Sequence, residues 1–322
     1  MEEKESKNLK KIAYYPGCSL KSTAVDFNVS IEKLLDLLGI EYEEIVDWNC
    51  CGTTPASNVS DELVAILSAR NLMLADKMGL NNILCPCISC YNKLHKASYY
   101  INNNKGKLKN LREEKKRDSI LKSLEEMGFD TEKDFNIKVY SIIEFLNLQK
   151  GLIGKKYRAL KGKSNKNSKG YSILNSLKPV CYYGCALLRP ESVPKFDDIE
   201  NPTSMEEILK MVEIECEDFQ FKTECCGAIL SLTNKDEVLR LSGEILDSAA
   251  LESGANSMIV FCQLCQQNLD LRQTQINKYN KKHFHMPIIF ITQILGMALG
   301  LSPEEVMADR LFVSPAIIGK RN

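Results

Sequence analysis

Ten of the thirteen cysteines in this 322-residue sequence fall into two matching groups of five. The first holds Cys18, the adjacent pair Cys50 and Cys51, and the CxxC formed by Cys87 and Cys90. The second holds Cys185, the pair Cys225 and Cys226, and the CxxC formed by Cys262 and Cys265. Each single cysteine follows a glycine, Gly17 or Gly184, and each pair precedes one, Gly52 or Gly227. The arm from the pair to the CxxC spans 36 positions in both groups, from 51 to 87 and from 226 to 262. The arm before the pair spans 32 positions in one group and 40 in the other, which is an eight-residue insertion. A structural zinc takes four ligands, a cubane iron–sulfur cluster takes four cysteines, and a CxxC redox site needs two. Five thiols exceed all of these. They suit a larger or less regular iron–sulfur assembly in which one thiolate bridges irons.

The elements around the cysteines must bring them together. Each group follows a short β-like run: Ile12–Tyr15, Glu44–Val46 and Asn82–Leu84 in the first half, then Pro179–Tyr183, Phe219–Phe221 and Ser257–Phe261 in the second. Helical spacing lies between these runs. Ser60 is placed as an N-cap, with Leu63, Ile66, Leu67, Leu74 and Met78 following up to Gly79. Val238, Leu241, Ile245 and Ala249 repeat the pattern before Gly254. Strands that alternate with helices predict an α/β protein with two pseudo-symmetric, Rossmann-like domains built on parallel sheets. Ligands bind such sheets at the carboxyl ends of the strands. A helix is expected to start beyond each CxxC, at Tyr91 and at Gln266, so that its positive end faces the thiolates. The repeat predicts domains at 11–150 and 178–322. The low-complexity stretch Lys161–Gly170 lies in the intervening segment 151–177, read as a solvated linker.

Composition bounds the rest. Forty-two basic and forty-two acidic residues balance, which gives no electrostatic reason to expect nucleic acid or an anionic membrane as partner. Met1–Lys11 is charged, and the most apolar run, Met286–Leu301, is shorter than the roughly 20 residues of a spanning helix. The expectation is a cytoplasmic protein, where cysteine clusters bind metal or do redox work. Cys85, Cys181 and Cys216 sit in or beside apolar strands and read as small buried hydrophobes. Cys85 could replace Cys87 if the loop shifted, and Cys181 rivals Cys185, although the Gly-Cys step favours Cys185. His283 and His285 lack partners at ligand spacing. Lys21 and Arg189, just beyond the single cysteines, read as solvated surface, with contact to an anionic substrate end as the alternative.

The doubled pattern GC…CCG…CxxC resembles the cysteine-rich CCG domain pair of the heterodisulfide reductase B-subunit family. Tyr15-Pro16-Gly17-Cys18-Ser19-Leu20, Thr54-Pro55-Ala56, Ala69-Arg70-Asn71-Leu72, Cys90-Tyr91-Asn92 and Tyr182-Tyr183-Gly184-Cys185 carry the likeness further. The resemblance implies two noncubane [4Fe-4S] clusters. One would be held by Cys18, Cys50, Cys51, Cys87 and Cys90, the other by Cys185, Cys225, Cys226, Cys262 and Cys265. It also implies a disulfide substrate of the coenzyme M–coenzyme B type, as in methanogenesis, cleaved between the clusters and released as two thiols. The chain has no ferredoxin run CxxCxxCxxxC and no GxGxxG fingerprint. The resemblance therefore supplies electrons from a small ferredoxin-like C-subunit, fed by a flavin-bearing A-subunit. Two alternatives stand beside this reading. One is a CCG electron-transfer component of a folate-linked, lactate, glycolate, fumarate or succinate oxidoreductase complex. The other is a zinc- or iron-stabilised structural component.

Overall fold

The computed structural model describes residues 9–53, 56–102, 110–161, 169–190 and 196–316. In chain order the first half forms β1 (Lys11–Tyr14), α1 (Val25–Leu38), β2 (Glu41–Glu44), α2 (Asp61–Lys77), β3 (Asn82–Leu84), α3 (Ile88–Ile101), α4 (Leu111–Glu126), β4 (Lys138–Tyr140) and α5 (Ile142–Leu148). The four strands make one parallel sheet in the order β2-β1-β3-β4. The central strands β1 and β3 read as short apolar runs because both their faces are covered, and Ala13, Tyr14, Ile83 and Leu84 are fully buried. β2 is an edge strand, and its sequence Glu-Tyr-Glu-Glu keeps charge on that edge. It lies at 41–44, just ahead of the expected 44–46. The helix expected after Ser60 is present as α2, where the Ser60 Oγ accepts from Leu63 N at 2.9 Å.

The second half forms α6 (Lys150–Lys161), α7 (Lys169–Ser176), β5 (Pro179–Cys181), α8 (Ser204–Lys210), α9 (Lys235–Asp247), β6 (Ser257–Val260), α10 (Gln263–Leu269), α11 (Gln273–Asn280), β7 (Ile288–Phe290) and α12 (Ile291–Ala298). Its sheet is also parallel, in the order β5-β6-β7. The strand expected at Phe219–Phe221 is not formed; those residues sit in a turn. The segment still lies against β5, since Glu217 N donates to Pro179 O at 2.8 Å and Tyr183 N to Lys222 O at 2.8 Å. With a neighbour on one side only, and with Glu213 in a left-handed conformation, the segment makes isolated bonds in place of a ladder. Within 151–177 the described residues up to Ser176 are helical, in α6 and α7; residues 162–168, most of the low-complexity run, lie outside the described residues.

The chain forms two compact units. Among the described residues, one comprises 9–21, 40–145 and Pro190; the other comprises 22–39, 146–189 and 196–316. Helix α1 thus leaves its sequence neighbours and packs on α12, where Phe27 stacks on Phe290 with centroids 4.3 Å apart and Ser30 shares a 2.7 Å hydrogen bond with Thr292.

In the second unit the buried carboxylate of Asp270 pins the C-terminal segment by accepting from Phe312 N at 2.7 Å and Val313 N at 3.0 Å. Burial pushes this carboxyl up to about 6. Because the folded value lies above the ordinary 3.8, this group's contribution to stability is full below pH 3.8 and is lost as pH rises through 6. Urea titrations of wild type and Asp270→Asn are therefore expected to differ in slope against pH across that window. The variant should lack the decline that this one group contributes.

Candidate metal centres

In the first unit three strand ends deliver the sulfurs. The chain leaves β1 through Tyr15-Pro16 into a helical turn, Gly17–Leu20, that carries Cys18. Gly17 has φ +68°, and a Cβ there would stand 3.0 Å from the Cys90 Sγ, so the backbone approaches the sulfur as closely as only glycine allows. Cys50 and Cys51 follow β2 on a loop that a polar clamp holds. Asn49 N donates to the Asn71 Oδ1, and the Asn71 Nδ2 returns a bond to Asn49 O, both at 2.9 Å. Tyr15, edge-on to Trp48, donates its hydroxyl to the same Asn49 carbonyl at 2.8 Å. Cys87 is the N-cap residue of α3, so Cys90 lies in that helix's first turn. The helix begins three residues before the expected Tyr91, which places the whole CxxC at its positive end.

The sulfurs form a string of close neighbours. Cys18 neighbours Cys50, Cys50 neighbours Cys51, and the Cys51 and Cys90 sulfurs stand 3.3 Å apart. Cys87 and Cys85 adjoin Cys90. Hydrogen bonding from Cys90 and the Thr53 hydroxyl lowers the Cys51 thiol to about 6, while the same partnership and burial push Cys90 up. Cys18 is exposed, Cys50 is half-buried and the other three are buried, so the string runs from the surface inward.

The second unit repeats this arrangement. Tyr182 donates to Glu224 O at 2.7 Å, as Tyr15 does to Asn49 O. Gly227 N approaches the Cys225 Sγ at 3.4 Å, as Gly52 N approaches the Cys50 Sγ. The hydroxyls of Ser68 and Ser242 each reach the carbonyl of the second paired cysteine at 3.3 Å. A Cβ on Gly184 would stand 3.3 Å from the Cys265 Sγ. Cys262 is the N-cap residue of α10, which again starts before the expected Gln266. The string is Cys185–Cys225–Cys226–Cys265–Cys262, with Cys226 and Cys265 sulfurs 3.5 Å apart. The hydrogen bond with Cys185 lowers the Cys225 thiol to about 6, and that with Cys265 lowers Cys226.

The clamps differ, and sequence reasoning missed both. In the second unit Lys222 is buried, its carbonyl accepts from Tyr183 N and Gly184 N, and its Nζ lies 3.1 Å from the Glu206 Oε1. Asn71 carried a sequence signal, a polar residue at a core position of an amphipathic helix. Lys222 carried none.

Cys85 joins the first string as a sixth sulfur, whereas Val260 holds the matching place in the second unit. Cys181 lies 3.6 Å from Cys216. Lys21 pairs with Glu44 at 2.6 Å, and Arg189 bonds the Thr223 hydroxyl at 3.1 Å and lies 3.6 Å from Glu224. His95 packs against Tyr91 with ring centroids 5.6 Å apart. His283 and His285 line a groove of about 650 Å³ with Lys178 and Asp247, at the amino ends of the second unit's strands, the opposite ends from its sulfur string.

An iron–sulfur group fits these donors. Each string offers five sulfurs with no carboxylate or imidazole among them, at a helix N-terminus and beside backbone N–H groups that favour an anionic cluster. Among the described residues no three His, Cys, Asp or Glu side chains are arranged to hold a single metal ion.

The sequence matches the cysteine-rich domain family CCG at residues 12–95 and again at 180–270. It is 29% identical to the 8-methylmenaquinol:fumarate reductase membrane anchor subunit of Wolinella succinogenes, covering 96% of this chain and 99% of that one. It is 24% identical to a heterodisulfide reductase B-subunit-like protein of Archaeoglobus profundus, over 92% and 93% of the two chains. Identity is also 24% to the B-subunit of the ferredoxin:CoB-CoM heterodisulfide reductase of Methanosarcina mazei, over 92% of each. A crystal structure of a hypothetical protein from Helicobacter pylori shares the fold with a TM-score of 0.63 at 15% identity, over 97% of this chain and 56% of the other.

Proposed function

The chain belongs to the cysteine-rich CCG domain family, with two copies of the domain, and on that premise we propose that it is the disulfide-reducing component of a multisubunit oxidoreductase. The two sulfur strings would hold two noncubane [4Fe-4S] clusters. One observation carries this reading: the tyrosine, glycine and serine contacts around the first five sulfurs recur around the second five, which supports the same donor set in both units. When bound, each cluster supplies one electron at a time, and a disulfide takes two to become two thiols. The protein's own part is to keep the thiols ready as thiolates. It does so through the close contact of Cys51 with Cys90 and of Cys226 with Cys265, and through the helix N-terminus behind each CxxC. The likeness to the B-subunit of the ferredoxin:CoB-CoM heterodisulfide reductase of Methanosarcina mazei supports a CoB-CoM-type disulfide as substrate. On the same reading the chain assembles with a ferredoxin-like C-subunit and a flavin-bearing A-subunit in the cytoplasm. Among the described residues no helix is long and apolar enough to cross a membrane.

A second reading has its own support in the fumarate reductase relative, which aligns over nearly its whole length. On this second reading the two clusters of this chain would pass electrons without meeting a disulfide.

Anaerobic purification with native partners separates these readings. Both expect about eight irons per chain, from two four-iron clusters. Only the first expects the cluster EPR signal to respond to added thiol and the complex to reduce a heterodisulfide. Iron near zero, or a single zinc, would overturn both.

A further inference from the structure

We propose that Cys181 and Cys216 form a second redox site, a dithiol that exchanges with a low-molecular-weight disulfide and closes to an intramolecular disulfide. Their sulfurs lie 3.6 Å apart, in the same unit and outside the pentads. Cys181 ends β5, and alternation along that strand sends it and Tyr182 to opposite faces. Tyr182 neighbours the pentad sulfurs Cys185, Cys225, Cys226 and Cys265, whereas Cys181 neighbours Cys216, Glu206 and Lys222. The Cys181 sulfur is thus partnered away from the candidate cluster.

The Glu217 N–H bond to Pro179 O holds residue 216 beside β5, in parallel register with Pro179 and diagonal to Cys181. With the sulfurs already 3.6 Å apart, a small shift of the segment that carries Cys216 brings them to the roughly 2.0 Å of an S–S bond. In the first unit the matching place on β1 and β2 is filled by Tyr14 and Tyr42, whose rings meet edge to face with centroids 5.7 Å apart. Rings there give packing; two thiols give a two-electron couple. Access is graded in the order that exchange needs, since Cys216 is half-buried and Cys181 is 1% exposed.

The Cys216 thiolate attacks one sulfur of R–S–S–R. The S–S bond breaks, and the leaving R–S⁻ takes up the proton that Cys216 gave up. Cys181 then attacks the Cys216 sulfur of the mixed disulfide, and the second R–S⁻ leaves with the Cys181 proton. Two protein thiols are oxidised by two electrons, and one disulfide is reduced to two thiols.

The test uses the full chain, purified anaerobically and incubated with oxidised glutathione. It is then acid-quenched, alkylated while denatured, and mapped by mass spectrometry. A Cys181–Cys216 cross-linked peptide is expected, reversed by dithiothreitol. In Cys216→Ser the cross-link is lost and Cys181 stays unmodified. In Cys181→Ala the cross-link is replaced by a glutathione adduct on Cys216. Alkylation of both thiols in wild type after incubation, or a cross-link from either to a pentad cysteine, would overturn the proposal. The wild-type map decides even if a variant fails to fold. Because the readout needs neither iron nor turnover, its failure leaves the reading of the pentads untouched.

Discussion

Gly17→Ala is expected to abolish iron binding at the first site and to leave the second site loaded, so that the chain retains about half its iron. Two penalties combine at this position. The backbone has φ +68°, where an L side chain costs about 1–2 kcal/mol. The added methyl also stands 3.0 Å from the Cys90 Sγ and 3.5 Å from the Tyr15 ring. Tyr15 is fully buried and fixed to Asn49 O, so the sulfur must yield. Cys90 joins Cys51 to Cys87 and Cys85, and its displacement cuts the string at that junction. Gly39→Ala supplies the control. It shares the left-handed backbone, with φ +71°, but its methyl meets nothing within 4 Å. It should lose thermal stability and keep all its iron. Iron and sulfide analysis of the three proteins, with EPR to count clusters, checks this. A full iron complement in Gly17→Ala would show that Cys90 is not a ligand.

What the sequence made legible is what repeats along it. The 36-residue arm, the β-like runs before the cysteines and the capped helix α2 are local or periodic signals, and residues such as Ser60 and Gly79 mark their ends. The sulfur neighbours within each group follow from those signals, because parallel strands end on one edge. Contacts made across the fold were not legible. Helix α1 reads as part of the first repeat, yet Phe27 and Ser30 find their partners at Phe290 and Thr292, more than 260 residues away. Cys181 and Cys216 each look like a lone core filler, since their 35-residue separation matches no motif; only the bond from Glu217 to Pro179 brings them together. Phe219–Phe221 has the composition of a strand, but an edge segment can take its bonds singly, and it did so around Lys222.

Lys222 is where the second unit is expected to prove most fragile. Lys222→Met should destabilise it by about 3 kcal/mol, the low end of the range for breaking a buried ion pair. The lysine side chain is 7% exposed and the Glu206 side chain 19%. The ammonium bonds the Glu206 Oε1 at 3.1 Å and Pro202 O at 3.3 Å. Asp218, 3.7 Å away, is almost fully exposed and gives a screened contact of little weight. Methionine fills the same volume, so packing is kept and the loss is that of charge. Glu206 would lose its ammonium partner in a largely buried place and keep the Tyr183 hydroxyl as donor. The strain would reach the candidate cluster through the backbone, because the Lys222 carbonyl accepts from Tyr183 N and Gly184 N, the residues that set the Cys185 turn. Loss of second-site iron with first-site iron retained is therefore expected, together with a lower urea midpoint. The double variant Lys222→Met/Glu206→Gln separates the causes. With the orphaned charge gone it should recover most of the stability and the iron if the single variant fails by leaving Glu206 unpaired. If the ammonium itself were needed to hold the turn, the double variant would remain as defective as the single one.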